Sequence, residues 1–445
     1  MKKYTALFFL FFCISYFVFS QNKFVVQNKQ QSDKIKFKLI NNLIIIPVEV
    51  NGVTLSFLLD TGVSKPIIFN FLNVSDTLKI KDTESIFLRG LGEGDPIEAL
   101  KSRNNVFKVG DAIKLKQELY AVYNINLNLS PKLGFPVHGI IGFDLFEDLV
   151  VQINYSQQII ILTEPEKFEY KSCRGCEHFG LVFHNKKPYI KGIVEINNKN
   201  IPVKLLIDSG SSDALWLFED SSIGVTSGSK FFEDFLGHGL AGSVYGKRSK
   251  VQSFSLKRFK LKNVNVSFPE SKSIVFAQRI ENRNGSLSGN ILKRFNIIFN
   301  YKQRTLTLKK NKFFNESFGY NKSGIELAHD GSRLIKIVDN SKSRERGFPS
   351  DDKTQSSSLV RIKNNYRYVL MPAYVIVELR EKSPAKIAGL KVGDLILSIN
   401  GKDTKQFSLQ QINQRFYDDA GKRIKLKVDR DGQIMTFSFF LKQLF

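Results

Sequence analysis

Apolar residues along this chain recur in short alternating runs, each broken by Asn or Gly. Ile46-Pro47-Val48-Glu49-Val50 alternates up to Asn51-Gly52, and Val53 to Leu59 follows. Ile193-Val194-Glu195-Ile196 leads to Asn197-Asn198, and Asn200 to Ile207 follows. A period of two around Asn-Gly or Asn-Asn predicts β-hairpins. Both second strands run into a matching triplet, Asp60-Thr61-Gly62 and Asp208-Ser209-Gly210, 148 residues apart.

The likeness between the two blocks extends further. Leu91-Gly92-Glu93-Gly94 answers to Leu236-Gly237-His238-Gly239, and Ile140-Ile141-Gly142 to Leu287-Ser288-Gly289. Asn154-Tyr155-Ser156-Gln157 answers to Asn300-Tyr301-Lys302-Gln303. The chain is therefore internally duplicated, over residues 35–165 and 178–311, with the charged stretch Glu164 to Lys171 as linker. Units of about 130 residues are domain-sized and too long for solenoid repeats. The expected fold is mainly β: two barrel-like lobes with a cleft between them, followed by a smaller α/β module at 318–445.

That module has its own pattern. Ser383 caps a short helix, Pro384 opens it and Gly389 ends it. Gly393-Asp394 turns into the apolar strand Leu395 to Ile399, which Asn400-Gly401 closes. Ser408 starts a second helix with Leu409, Ile412 and Phe416 on one side. A polar, charged stretch at about 339–358 reads as an inserted loop.

Composition changes this picture in two places. The formal net charge is +24, which invites a nucleic-acid reading. The Lys residues are spread along the whole chain, and no zinc-finger spacing, basic zipper or RNA-binding aromatic motif is present, so no nucleic-acid partner is expected. The first residues, Lys2-Lys3, an apolar run from Ala6 to Phe19 and then Ser20, have the form of a secretory leader covering 1–20. The run is shorter than the roughly 20 residues a membrane span needs, so no stable span is expected after cleavage. An exported chain, periplasmic or secreted, keeps Cys173 and Cys176, and an even pair in an oxidising compartment predicts one disulfide. Zinc would need two ligands beyond the cysteines, and His178 is only one candidate, so neither a metal nor another cofactor is expected.

The two triplets carry the candidate chemistry. Gly62 and Gly210 let the backbone turn tightly and approach closely. Asp60 and Asp208 would then meet at the lobe interface, where two carboxylates cannot both ionise easily. One activates a water as general base and the other, protonated, polarises a carbonyl. Thr61 and Ser209 are sized to brace the two loops from beneath.

Leu59 to Ser64 and Ile207 to Ser212 resemble the active-site loops of the pepsin and retropepsin clan of aspartic peptidases. The resemblance covers most of residues 35–311. It implies Asp60 and Asp208 as a catalytic dyad and a peptide or protein substrate. It also implies that Gly90 to Gly94 and Leu236 to Gly242, with Gly92, Gly94, Gly237 and Gly239, form flaps over the substrate. Val63 stands where the family usually has Ala or Ser. Neither flap carries the Tyr of pepsin-like enzymes, which points to the bacterial retropepsin-like branch. The run from Ser383 to Gly401 resembles a bacterial PDZ domain. That implies a carboxylate-cradling loop at Gly324-Ile325-Glu326-Leu327 and C-terminal peptides as partners, with the groove formed by Tyr374 to Leu379 and the second helix. The runner-up is a non-catalytic peptide-binding or adaptor protein of the cell envelope. A polyanion binder rests on net charge alone.

Overall fold

The computed structural model describes residues 22–69, 78–88, 90–92, 94–123, 127–240, 242–338 and 366–445. The expected leader at 1–20 and the inserted loop at 339–358 lie outside the described residues. The described residues are mainly β, arranged in four sheets.

Two of the sheets are built alike. In the first, Leu43–Val50 and Val53–Leu59 form a hairpin closed at Val50↔Val53. Its turn residues Asn51 and Gly52 both have positive φ, 49° and 88°. That is the turn geometry that matches strand twist. In the second, Lys187–Ile196 and Lys199–Asp208 close at Ile196↔Lys199, with Asn197 and Asn198 at 50° and 60°. Each hairpin then takes a parallel partner. Gly139–Ile141 lies beside Val53–Leu59, with Ile141 opposite Leu59. Gly285–Ser288 lies beside Lys199–Asp208, with Leu287 opposite Ile207 and Ser288 opposite Asp208.

This register corrects one sequence correspondence. Leu59 and Ile207 are equivalent, so Ile140-Ile141-Gly142 answers to Ser286-Leu287-Ser288, one residue earlier than the motif alignment suggests. The loop contacts agree: Phe143 N–H donates to the Val63 carbonyl at 2.9 Å, and Gly289 N–H donates to that of Ser211 at 2.8 Å. Both glycines make room for an equivalent carbonyl, that of Val63 at Gly142 and that of Ser211 at Gly289, and each for a second one, of Asp60 and of Asn42.

The third sheet joins the repeats. Its order is Cys176–Gly180, Thr305–Lys310, Phe295–Asn300, Val150–Asn154, Ile159–Thr163, Ser32–Lys36, three strands from each side. The central antiparallel pair sets Val151 opposite Phe299 and Ile153 opposite Ile297. A continuous core packs on it, including Phe57, Phe146, Phe254 and Phe299, all essentially buried. Each such burial contributes about 2–3 kcal/mol.

The fourth sheet, order Ile325–Val338, Tyr366–Leu379, Leu395–Ile399, Arg423–Arg430, Gln433–Phe440, has a separate core around Ile376, Ile396, Ile412 and Phe416. The helix Leu409–Phe416 begins with a capping box between Ser408 and Gln411 and buries Leu409, Ile412 and Phe416. The short helix Pro384–Ile387 is capped by the Ser383 hydroxyl, which accepts from Lys386 N–H. Here the expected groove strand is corrected. Ile325–Val338 is the sheet's edge, and Tyr366–Leu379 lies inside it, pairing along Ile325–Val338 and at Val375 with Leu395.

Candidate active site

Each Asp ends an apolar strand whose alternate residues point to opposite faces. Ile44, Ile46, Phe57 and Leu59 point into the main core. Ile45 and Leu58 point the other way, and with Ile67 and Ile140 they form a second apolar cluster beneath the two glycine-bearing hairpins. Asp60 follows Leu58 on this second face, as Asp208 follows Leu206.

The two Asp loops are tied together beneath the carboxyls. Thr61 Oγ1 donates to the Ile207 carbonyl at 2.7 Å and accepts from Ser209 N–H at 3.1 Å. Ser209 Oγ donates to the Leu59 carbonyl at 2.8 Å and accepts from Thr61 N–H at 3.0 Å. Thr61 and Ser209 are buried, so these four bonds are shielded from water.

Above this brace the carboxyls converge over the glycines. Gly62 N–H donates to Asp60 Oδ1 at 2.6 Å, and Gly210 N–H donates to Asp208 Oδ1 at 3.1 Å. A Cβ at Gly210 would stand 2.2 Å from Asp60 Oδ2, so only glycine leaves room for that carboxyl. Burial, then the charge of Asp208, pushes the Asp60 carboxyl well above the usual carboxylate range; Gly62 N–H pulls against this. Burial also raises Asp208, opposed first by the Arg283 guanidinium and then by Lys187. The pair therefore holds a proton at pH values where isolated carboxylates have lost theirs.

The two glycine-bearing hairpins meet each other, and residues of both pack on the cluster of Leu58 and Ile67. Thr83–Leu88 and Ile97–Val109 pair up to Leu88↔Ile97, leaving Gly90, Gly92 and Gly94 in the connecting loop. Phe232–Gly239 and Gly242–Leu256 pair up to Gly239↔Gly242, with Gly237 at a register shift. Gly90 approaches Leu240, Gly239 approaches Leu91, and Gly92 N–H donates to the Ser273 carbonyl at 3.2 Å. A cavity of about 830 Å³ lies between the hairpins, lined by Pro96, Ile97, Tyr123, Leu127, His238 and Leu240. Asp60 and Asp208 are not among its lining residues.

Motif reading missed the charged groups around this centre. Arg248 donates to Asp234 Oδ2 at 2.7 Å and to Asp213 Oδ1 at 3.0 Å, and Trp216 Nε1 donates to Asp213 Oδ2 at 2.7 Å. This network fixes the base of the second hairpin. The charge of Arg283 acts on Asp208, and that of Lys187 on both Asp60 and Asp208. None of these residues lies in a motif, and their roles depend on strand register.

Elsewhere, Cys173 and Cys176 are bonded to each other, with Cα atoms 5.6 Å apart. His178 Nδ1 pairs with Thr307 Oγ1 at 2.9 Å. No helix among the described residues is long and apolar enough to cross a membrane.

In the C-terminal unit, Gly324 has φ +83° and abuts Ser383, while Ile325 and Leu327 point into the core. Glu326 faces the second hairpin. Burial, then the nearby Asp234, raises its carboxyl to about 7. The hairpin and this unit are packed together: Phe232 stacks on Phe445 at 5.4 Å, Arg380 lies 3.7 Å from Asp234, and Tyr245 donates to Glu378 at 3.2 Å. The turn Ser130–Leu133 packs against Ile325–Val338, Gln410 donates to the Leu133 carbonyl, and Gly134 abuts Leu409. A segment of the first repeat thus covers one end of the space between edge strand and helix.

Residues 375–430 match the family model of the PDZ domain. The C-terminal unit therefore contains a PDZ domain, a module of peptide and protein recognition.

Proposed function

We propose that this chain is an exported aspartic endopeptidase that hydrolyses peptide bonds with water activated between Asp60 and Asp208, the PDZ domain recruiting peptide or protein partners. The observation that supports it most is the reciprocal Thr61–Ser209 brace beneath two converging carboxyls. A capping role for either Asp would need no such tie to the other repeat.

In this reading the dyad holds one proton. The ionised carboxylate takes a proton from water as the water attacks the scissile carbonyl. The protonated carboxyl donates to that carbonyl oxygen, and a proton then passes to the leaving amine. The hairpins above exclude bulk water, which strengthens each electrostatic contact within. They must part to admit an extended chain, and their glycines permit that movement.

The test is digestion of a complex peptide library by the exported protein at several pH values. A peptide analogue with a central hydroxyl, mimicking the tetrahedral intermediate, should block it. A library left intact at every pH would reject the reading.

A further inference from the structure

The duplication allows the two halves of the cleft to be compared position by position. By register, Ile45, Leu58, Ile67 and Ile140 in the first repeat correspond to Tyr189, Leu206, Trp216 and Ser286 in the second. The first side is wholly apolar. The second presents a phenol, an indole and a hydroxyl on the same face.

The same counting reaches two further pairs. Asn284 stands where His138 does: His138 N–H donates to the Ser56 carbonyl at 2.8 Å, and Asn284 N–H donates to that of Lys204 at 2.9 Å. Arg283 therefore occupies the place of Val137, which is fully buried among apolar neighbours. Likewise Tyr189 answers to Ile45, so Lys187 occupies the place of Leu43. Two buried apolar positions of the first repeat are thus replaced in the second by two half-buried cations, Arg283 acting on Asp208 and Lys187 on both carboxyls.

The structure holds Arg283 in place. Its Nη2 donates to Ser286 Oγ at 3.0 Å and its Nε to the Gly285 carbonyl at 3.3 Å. Its guanidinium lies 5.3 Å from the Phe218 ring and 6.0 Å from that of Tyr189. The carboxylates acting on Lys187 are those of Asp60 and Asp208, and the one acting on Arg283 is that of Asp208. Once the dyad holds a proton, the cations outnumber the negative charges there. A fixed guanidinium favours a carboxylate over any neutral group.

We infer that the second-repeat side of the cleft binds an acidic side chain of the substrate through Arg283 and Lys187, while the first-repeat side takes an apolar one. This rests on the peptidase reading and adds the substrate class. A sequence cut by this enzyme would carry Asp or Glu on one side of the scissile bond and an aliphatic or aromatic residue on the other.

Quenched peptides that differ only as Glu/Gln or Asp/Asn pairs, placed in turn at each position flanking the cut, test this on the full chain. At one position the acid should exceed its amide in kcat/KM by about tenfold, the discrimination expected of a buried charge partner. Arg283→Met keeps the stacking but removes the charge, and should bring that ratio close to one. Arg283→Lys should restore part of it. A purely structural Arg283 would lower both members of each pair equally and leave the ratio unchanged, overturning the inference. Equal cleavage of acid and amide at every position by the wild type would also overturn it while leaving the peptidase reading intact. A wild type that cuts no peptide would remove both.

Discussion

Asp60→Asn should make the folded protein more stable, and only above mildly acidic pH. The folded state holds the Asp60 carboxyl at about 7, against 3.8 for the free group, chiefly through burial and the charge of Asp208. The folded chain thus binds a proton that the unfolded chain releases. A raised carboxyl costs no stability below about pH 4; the cost grows as pH rises toward 7 and is constant beyond. Three units at 1.36 kcal/mol each set an upper bound of about 4 kcal/mol. The dyad shares this cost and keeps some solvent contact, so about 2 kcal/mol is the expected difference. Asn keeps the acceptor for Gly62 N–H, so the loop should be preserved. Urea unfolding of wild type and variant at pH 4 and pH 8 measures it. The midpoints should coincide at pH 4 and separate at pH 8, with the variant higher. A gap of equal size at both pH values, or a variant weaker at pH 8, would refute the reasoning.

The remaining predictions concern the brace and the PDZ groove. Thr61→Val keeps the shape but leaves the Ile207 carbonyl and Ser209 N–H without their partner. It should lower stability by about 3 kcal/mol, read as a lower urea midpoint. Gln410→Ala removes the bond that holds the Leu133 carbonyl across the groove. Losing about 1 kcal/mol of that cover should raise the full chain's affinity for peptides with apolar C-termini about fivefold on an array, and equal binding would reject the covering role.

Much of the site could be read from residue order because it is local. Asn51-Gly52 and Asn197-Asn198 specify hairpin turns through their positive φ, and each hairpin delivers its triplet to the end of a strand. The capped helices of the PDZ domain were legible for the same reason. What escaped depends on pairing. The one-residue error at Ser286-Leu287-Ser288 arose because matching glycines is a weaker constraint than matching hydrogen bonds to Ile207 and Asp208. Tyr374 to Leu379 has the alternation of a groove strand, yet Ile325–Val338 pairs along it and takes the edge. Lys187 and Arg283 look like ordinary surface cations until register sets them against Leu43 and Val137. The packing of Phe232 and Asp234 onto the C-terminal unit joins residues far apart in the chain, which no local pattern encodes.

The central claim is that Asp60 and Asp208 act as one catalytic unit. Cleavage of a peptide library should be measured for wild type, Asp60→Asn, Asp208→Asn and the double variant, each shown to be folded. On this account the two share one water and one proton, so each single change should abolish most turnover, and the double change should add little. The wild-type rate should rise and fall with pH, with both limbs belonging to the pair. A folded single variant that cuts at the wild-type rate would contradict the account.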